Sequence, residues 1–324
     1  MPAVKAIRIH EDGGPDVLRY ENVPDPEPGP GEALVELRAA SLNHLDVWVR
    51  KGLPSVPKPR ILGSDGAGIR ADTGERVVIN PGIEIDGRVR VLGEHGDGTH
   101  AEKIVVPVGA LYPIPDSLSF EQAAAFPLTF QTAYRMLATR AQLREGEWVF
   151  IWGIGGGVAS AAAALAKALG ARTIVTSSSD EKLARAREEL EVDVTINHAR
   201  DDVIEAAREA TGGAGAAVVV ETVGAATWAT SLEVAAREGR VVVCGATTGP
   251  NPPARLHRWW WKQLSLYGSS MGTQAEFEAG YDLVVAGRAL PLVDSVFPLA
   301  DARAAHERLE AGEQLGKVIL RIPG

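Results

Sequence analysis

The stretch from Glu147 to Lys182 limits the possible folds more than any other. Trp148-Val149-Phe150-Ile151-Trp152 is a short, almost wholly apolar run, the pattern of a parallel strand buried on both faces. Gly153-Ile154-Gly155-Gly156-Gly157-Val158-Ala159 follows at once, and an alanine-rich helix then runs to about Leu169, with Val158, Ala162, Leu165 and Leu169 on one face. Gly170 reads as its stop signal, and Arg172-Thr173-Ile174-Val175-Thr176 as the next strand. A helix N-terminus carries unpaired N–H groups and partial positive charge, so a pyrophosphate can sit there if no side chain blocks the approach. Gly153-x-x-Gly156-x-x-Ala159 is a variant of the dinucleotide fingerprint. Glycines alone suit a plain tight turn as well; the strand before and the helix after favour a binding turn. Gly153, Gly156, Gly157 and Val158 are therefore expected at a dinucleotide.

The end of the second strand decides which dinucleotide. NAD sites usually place an acid there for the ribose 2′-OH. This chain has Ser177-Ser178-Ser179 followed by Asp180-Glu181-Lys182. Serine hydroxyls and a lysine suit a 2′-phosphate, so Ser177, Ser178 and Lys182 favour NADP(H) over NAD(H). Ser178-x-x-Glu181 is also a capping box for a helix reaching Leu190, and the two roles are compatible.

At 324 residues there is room for about two domains. A net charge of −9 and the lack of a basic stripe argue against a nucleic-acid partner. One cysteine, Cys244, excludes an internal disulfide framework and a multi-cysteine zinc cluster. The N-terminus is charged from Lys5 and lacks a signal-peptide core. No run of 18 apolar residues suggests a membrane span; the expectation is a cytoplasmic protein.

Residues 1–121 differ from the middle of the chain. Val4–Ile9, Glu32–Leu37, Arg76–Ile79 and Lys103–Val106 read as strands among glycine and proline turns, a mainly β domain. A helical bridge is expected over Ala123–Leu137. Within 122–268 strands and helices alternate, with further strands at Val194–Asn197, Ala217–Val220, Arg240–Val243 and Leu264–Tyr267. That order predicts a doubly wound parallel sheet. Ligands sit beyond the carboxyl ends of such strands, so Val223, Cys244 and Gly245, with Ser269 after the last strand, are expected to line the cofactor site. Residues 269–324 are expected to return to the first domain, making the α/β domain an insertion.

Ala40-Ser41-Leu42-Asn43-His44-Leu45-Asp46, Ile61-Leu62-Gly63-Ser64-Asp65-Gly66-Ala67-Gly68, Gly74-Glu75-Arg76-Val77, the glycine turn and Gly316-Lys317-Val318 together resemble the medium-chain dehydrogenase/reductase superfamily over nearly the whole length. The resemblance implies a Rossmann domain inserted into a GroES-like catalytic domain, with hydride transfer in the cleft between them. Alcohol dehydrogenases of this family hold a catalytic zinc with a cysteine, a histidine and a second cysteine or acid. The matching positions here are Asn43, Ser64 and Leu128, none a good zinc ligand. The lobe of a second zinc falls near Ile83–Leu92, which has no cysteine. His44, Asp46, Asp65, Glu94 and His95 do not form a known ligand set either, so no zinc is expected.

Without a Lewis acid, simple alcohol oxidation is disfavoured. Reduction of a quinone or a conjugated carbonyl demands less, because conjugation spreads the incoming charge. Zinc-less quinone reductases of the superfamily resemble this chain, including an asparagine at Asn43. By the same resemblance, Asn43 donates its amide to the acceptor carbonyl, or is simply a turn residue. Asp46 orients its neighbours; Thr132 lies near the nicotinamide or is a helix-facing hydroxyl, and Lys317 lies near the cofactor or is a surface lysine. His198 falls where related reductases have a tyrosine beside the 2′-phosphate; a solvated surface histidine is as good a reading. Enoyl-thioester reductases carry a tyrosine where Trp48 stands, so that branch loses support and no proton donor is identified.

The expected function is an NADPH-dependent, metal-free reductase of a small quinone or conjugated carbonyl. An NADP(H)-dependent alcohol or aldehyde oxidoreductase and a non-catalytic NADPH-binding sensor are the alternatives. Trp259-Trp260-Trp261 cannot share one helix face, so at least one points away from the core. Packing against the sheet is one reading and an aromatic patch at a subunit contact or substrate mouth the other; the edge strand Leu264–Tyr267 suits pairing with a second subunit, a homodimer as in relatives.

Overall fold

A computed structural model describes residues 3–85 and 88–324. Asp86 and Gly87, inside the stretch compared with the second zinc lobe, lie outside the described residues. By internal contacts the chain divides into two units. One holds the residues up to Leu128, Thr273–Tyr281 and Pro291–Gly324; the other holds Thr129–Gly272 and Asp282–Leu290. The tail is therefore shared: helix Gln274–Val285 contributes to both groupings.

The first unit is built on strand Glu32–Ser41. Its alternating residues Ala33, Val35 and Leu37 are buried, as period-2 patterning requires. It pairs antiparallel with Asp65–Arg70, Lys103–Pro107 and Lys317–Arg321. Val35, Leu37, Ile79, Val318 and Leu320 form the centre of this core. The register does chemical work. Ser41 pairs with Asp65 on one side and with Ile319 on the other. Leu42 N–H donates to Val318 O at 2.9 Å. Two residues beyond Ser41, Asn43 thus comes level with Lys317 and beside Asp65, although these residues are far apart in the chain.

The second unit is a six-stranded, all-parallel sheet in the order Val194–Asn197, Arg172–Ser177, Trp148–Ile151, Ala216–Glu221, Ala235–Val243, Ser265–Gly268. Val149, Phe150 and Ile151 are fully buried, the expected state of a central parallel strand. Helix Gly157–Ala168 buries Ala161–Ala163 and Leu165, while Val158 and Leu169 at its ends are half-buried. Small alanines let the helix lie close on the sheet.

The helical bridge forms as two helices, Phe120–Ala125 and Pro127–Tyr134, followed by a π-helical turn at Arg135–Arg140. Pro127 breaks it, because proline opens a new helix more readily than it continues one. Trp259 packs beside the core of the parallel sheet, whereas Trp260 and Trp261 are 66% and 65% exposed. Among the described residues no helix is long and apolar enough to cross a membrane.

Candidate active site

In the second unit the turn after strand Trp148–Ile151 is held from behind. Ile154 N–H donates to Thr176 O at 2.9 Å and Gly153 N–H to Thr176 Oγ1 at 3.2 Å. Gly153 has φ +60°, a conformation that favours glycine. Gly156 is the N-cap of helix Gly157–Ala168 and supplies no capping side chain. The nearest protein atom to a Cβ placed there would be 3.6 Å away, so protein packing does not demand a glycine at 156. Open space in front of an uncapped helix start fits a pyrophosphate. The residues present fit a dinucleotide.

Beside it, strand Arg172–Ser177 ends with Ser177 buried and its Oγ accepting from Ser179 N–H at 3.1 Å. The helix cap lies one residue later than the capping-box spacing suggests. Ser179, not Ser178, accepts from Lys182 N–H, at 3.3 Å, because the turn consumes Ser178 before the helix begins at Asp180. Ser178 is left exposed and Lys182 half-buried. His198 N–H donates to Ser177 O at 3.0 Å, which brings the residue's backbone to the same corner. Desolvation lowers its pKa, so near pH 7 the ring offers a hydrogen bond rather than a charge. Sequence reading missed Asp180 and Arg200. Asp180 accepts from Arg200 Nη1 at 2.5 Å and from Asn197 Nδ2 at 2.9 Å, and these donors hold its carboxyl below the usual range. The signal was Asn197-His198-Ala199-Arg200 at the end of the neighbouring strand.

Val223, Cys244, Gly245 and Ser269 all follow carboxyl ends of strands in this sheet. Ser269 N–H donates to Val243 O at 2.8 Å. Burial, and secondarily Glu221, pushes the Cys244 thiol up to about 12, so it is no nucleophile. Thr132 is buried in helix Pro127–Tyr134 of the same unit.

The first unit gathers the other predicted residues into a buried polar knot. Asn43 Nδ2 donates to Asp65 Oδ2 at 2.8 Å, and Asn43 Oδ1 accepts from Lys317 Nζ at 2.5 Å. Lys317 Nζ also reaches Asp65 Oδ2 at 3.1 Å. Ser41 Oγ donates to the same Oδ2 at 3.0 Å, and Leu128 N–H to Oδ1 at 2.9 Å. Asp46 sits at the first turn of helix His44–Arg50 and clamps two backbones, accepting from Asn43 N–H at 2.7 Å and Gly63 N–H at 3.1 Å. Gly63 has φ +97°, and a Cβ there would lie 2.3 Å from the His100 ring, so only glycine presents this N–H. Burial raises the Asp46 carboxyl to about 7 despite those two donors. Asp65 is the member that sequence reading did not assign to the site; its register opposite Ser41 was the missing information.

The knot does not suit zinc. Asn43 is committed to Asp65 and Lys317, Ser64 Oγ donates to Leu92 O at 2.9 Å, and Leu128 contributes only its N–H. A buried ammonium already neutralises Asp65. Among the described residues no three His, Cys, Asp or Glu side chains gather to hold a metal ion.

Residues 29–116 match the family described as alcohol dehydrogenase GroES-like domain, and residues 157–286 the family described as zinc-binding dehydrogenase. The chain is 35% identical over 327 residues to a quinone oxidoreductase of Pseudomonas aeruginosa, an alignment covering 98% of this chain and 99% of the relative. It superposes on a solved NAD-dependent alcohol dehydrogenase with a TM-score of 0.94 and 39% identity, covering 98% of this chain and 100% of that one. A 2-octenoyl-CoA carboxylase reductase in complex with NADP and 2-octenoyl-CoA gives a TM-score of 0.89 at 28% identity, over 99% of this chain and 88% of the other.

Proposed function

The chain belongs to the medium-chain dehydrogenase/reductase superfamily, in its quinone oxidoreductase-like branch, and is an NAD(P)H-dependent oxidoreductase; from that premise we propose that it reduces a quinone or an α,β-unsaturated carbonyl with NADPH and without zinc. The observation that carries the reading is the knot in which Asn43, one of the positions compared with the metal ligands, is held by Asp65 and Lys317. Lys317 on the amide oxygen polarises Asn43 and strengthens its second N–H, the one not given to Asp65, as a donor. That donor steadies negative charge arriving on the acceptor oxygen, and conjugation does the rest. Bound NADPH supplies the hydride. Asp46 holds the Asn43 backbone so that the donor keeps its aim.

Ser177, Ser178 and Lys182 support the 2′-phosphate. NAD(H) is the competing reading, and Asp180 is the observation that favours it: an ionised carboxylate at this corner repels a phosphate unless Arg200 continues to neutralise it. The relatives pull both ways, one solved neighbour being called NAD-dependent and another holding NADP. We assign the homodimer contact to the unpaired edge of strand Ser265–Gly268 together with Trp260 and Trp261.

The test is coenzyme oxidation with a small panel of quinones and enones, with and without a chelator. Turnover with NADPH that survives chelation is expected. Activity restricted to alcohols, dependence on added zinc, or a preference for NADH would overturn the respective part of the proposal.

A further inference from the structure

Glu221 ends strand Ala216–Glu221 and is fully buried, yet none of the functional steps above uses it. Its Oε1 accepts from Val223 N–H at 2.8 Å, Gly224 N–H at 2.9 Å and Thr227 Oγ1 at 2.9 Å. Its Oε2 accepts from Ser231 Oγ at 2.5 Å. Ser231 Oγ in turn accepts from Trp152 Nε1 at 2.7 Å, and Trp152 directly precedes the glycine turn. The loop so gripped holds the next one. Thr248 N–H and Oγ1 donate to Val223 O at 2.8 and 2.7 Å, and Ala225 N–H donates to Gly249 O at 3.0 Å. One carboxylate therefore sets the loops that follow two adjacent strands.

Burying a carboxylate is costly unless donors replace its water. Here the donors are the backbone N–H groups of Val223 and Gly224 in the loop and the hydroxyls of Thr227, which caps the helix that follows it, and of Ser231 within that helix. The sheet order reverses at strand Trp148–Ile151, with Arg172–Ser177 on one side and Ala216–Glu221 on the other. In such sheets the dinucleotide lies across the reversal, its adenosine half over the strand that carries the 2′-site and its nicotinamide half over the opposite side. The loops organised by Glu221 belong to that opposite side.

We propose that Glu221 is a positioning residue for the nicotinamide half of the coenzyme, acting through the backbone of Val223, Gly224 and Thr248. This rests on dinucleotide binding and on neither the phosphate preference nor the acceptor. Its action is to fix backbone groups, without contact to the reacting atoms.

The experiment compares Glu221→Gln with wild type in affinity for the whole reduced coenzyme and for its adenosine half alone, adenosine 2′,5′-bisphosphate or ADP, whichever wild type binds. Gln keeps the shape but removes the charge that strengthens each bond. Coenzyme affinity is expected to fall about 10-fold or more, with adenosine-half affinity within about 2-fold, the loss of one or two charge-assisted bonds acting on one side only. Equal losses for both probes, or no loss in either, would overturn the assignment. Failure of wild type to bind any coenzyme would instead sink the cofactor reading. If Glu221→Gln does not fold, Thr227→Val, which leaves the carboxylate in place, carries the same comparison, with a smaller selective loss expected.

Discussion

The glycine turn and the polar knot are built in opposite ways. The turn draws on contiguous residues, Gly153 to Ala159, and its purpose depends on space that no protein atom fills. The knot draws Asn43, Asp65, Leu128 and Lys317 from four separate segments and fills its space with partnered charge. A local device can be altered with little effect on stability, because few other residues depend on it. A device assembled by sheet register cannot, because its members answer one another's buried charges and hydrogen bonds.

The contrast is tested most severely by Lys317→Met. It leaves Asp65 buried without its cation and should cost about 3–5 kcal/mol of stability, read from urea unfolding. Adding Asp65→Asn should recover a large part of the loss. A Lys317→Met protein as stable as wild type would mean that the knot is not the cohesive element described here.

Asp46 gives the next largest effect, through pH. Its carboxyl titrates at about 7 when folded against 3.8 in the reference state, so the folded protein holds a proton that the unfolded chain releases. The contribution to stability is complete below about pH 4 and is lost as pH rises to about 7, a change of a few kcal/mol. Fully buried His100, lowered to about 4, and His306, lowered by the same desolvation, act in the opposite sense and favour the folded state as pH rises. The difference between wild type and Asp46→Asn isolates Asp46. Unfolding curves from pH 4 to 8 should converge at low pH and separate by neutrality, with the variant the more stable at pH 7.

Gly156→Ala probes the other side of the comparison. Stability should fall by no more than about 1 kcal/mol, since the site has room and glycine is preferred to alanine at an N-cap by no more than that. Coenzyme affinity should fall about 10-fold or more, as a methyl group displaces a phosphate from its N–H donors. A large loss of stability would show that the turn is a packing device after all.

The smallest effect concerns coenzyme choice. Lys182→Ala should weaken NADPH roughly 10-fold, the value of about one charge-assisted contact, and NADH hardly at all. Equal losses by titration would remove the lysine from the 2′-site and leave Arg200 as the remaining cation at that corner.

Much of the fold was legible because its signals are short-range. Apolar runs at Trp148–Trp152 and Ala217–Val220, the first followed at once by Gly153 and the second a few residues later by Gly224, announce buried parallel strands, and six strands alternate with helices as read. The cap at Ser179 was displaced by one residue because two serines satisfy the same spacing and only the strand's actual end chooses between them. Asp180 looked like an ordinary first-turn acid until Arg200 and Asn197 were seen to hold it. Glu221 gave no signal, since a carboxylate at a strand end is read as surface unless its donors are known.

By itself the sequence determined the doubly wound sheet, the uncapped helix start and the absence of cysteine or histidine at the compared metal positions, because periodicity and residue chemistry are local properties. Only the tertiary structure decided that Asp65 and Lys317 close on Asn43 and that Glu221 grips two loops. Those contacts depend on strand register, which is set by the core as a whole: a slip of one residue would turn every one of these side chains to the other face.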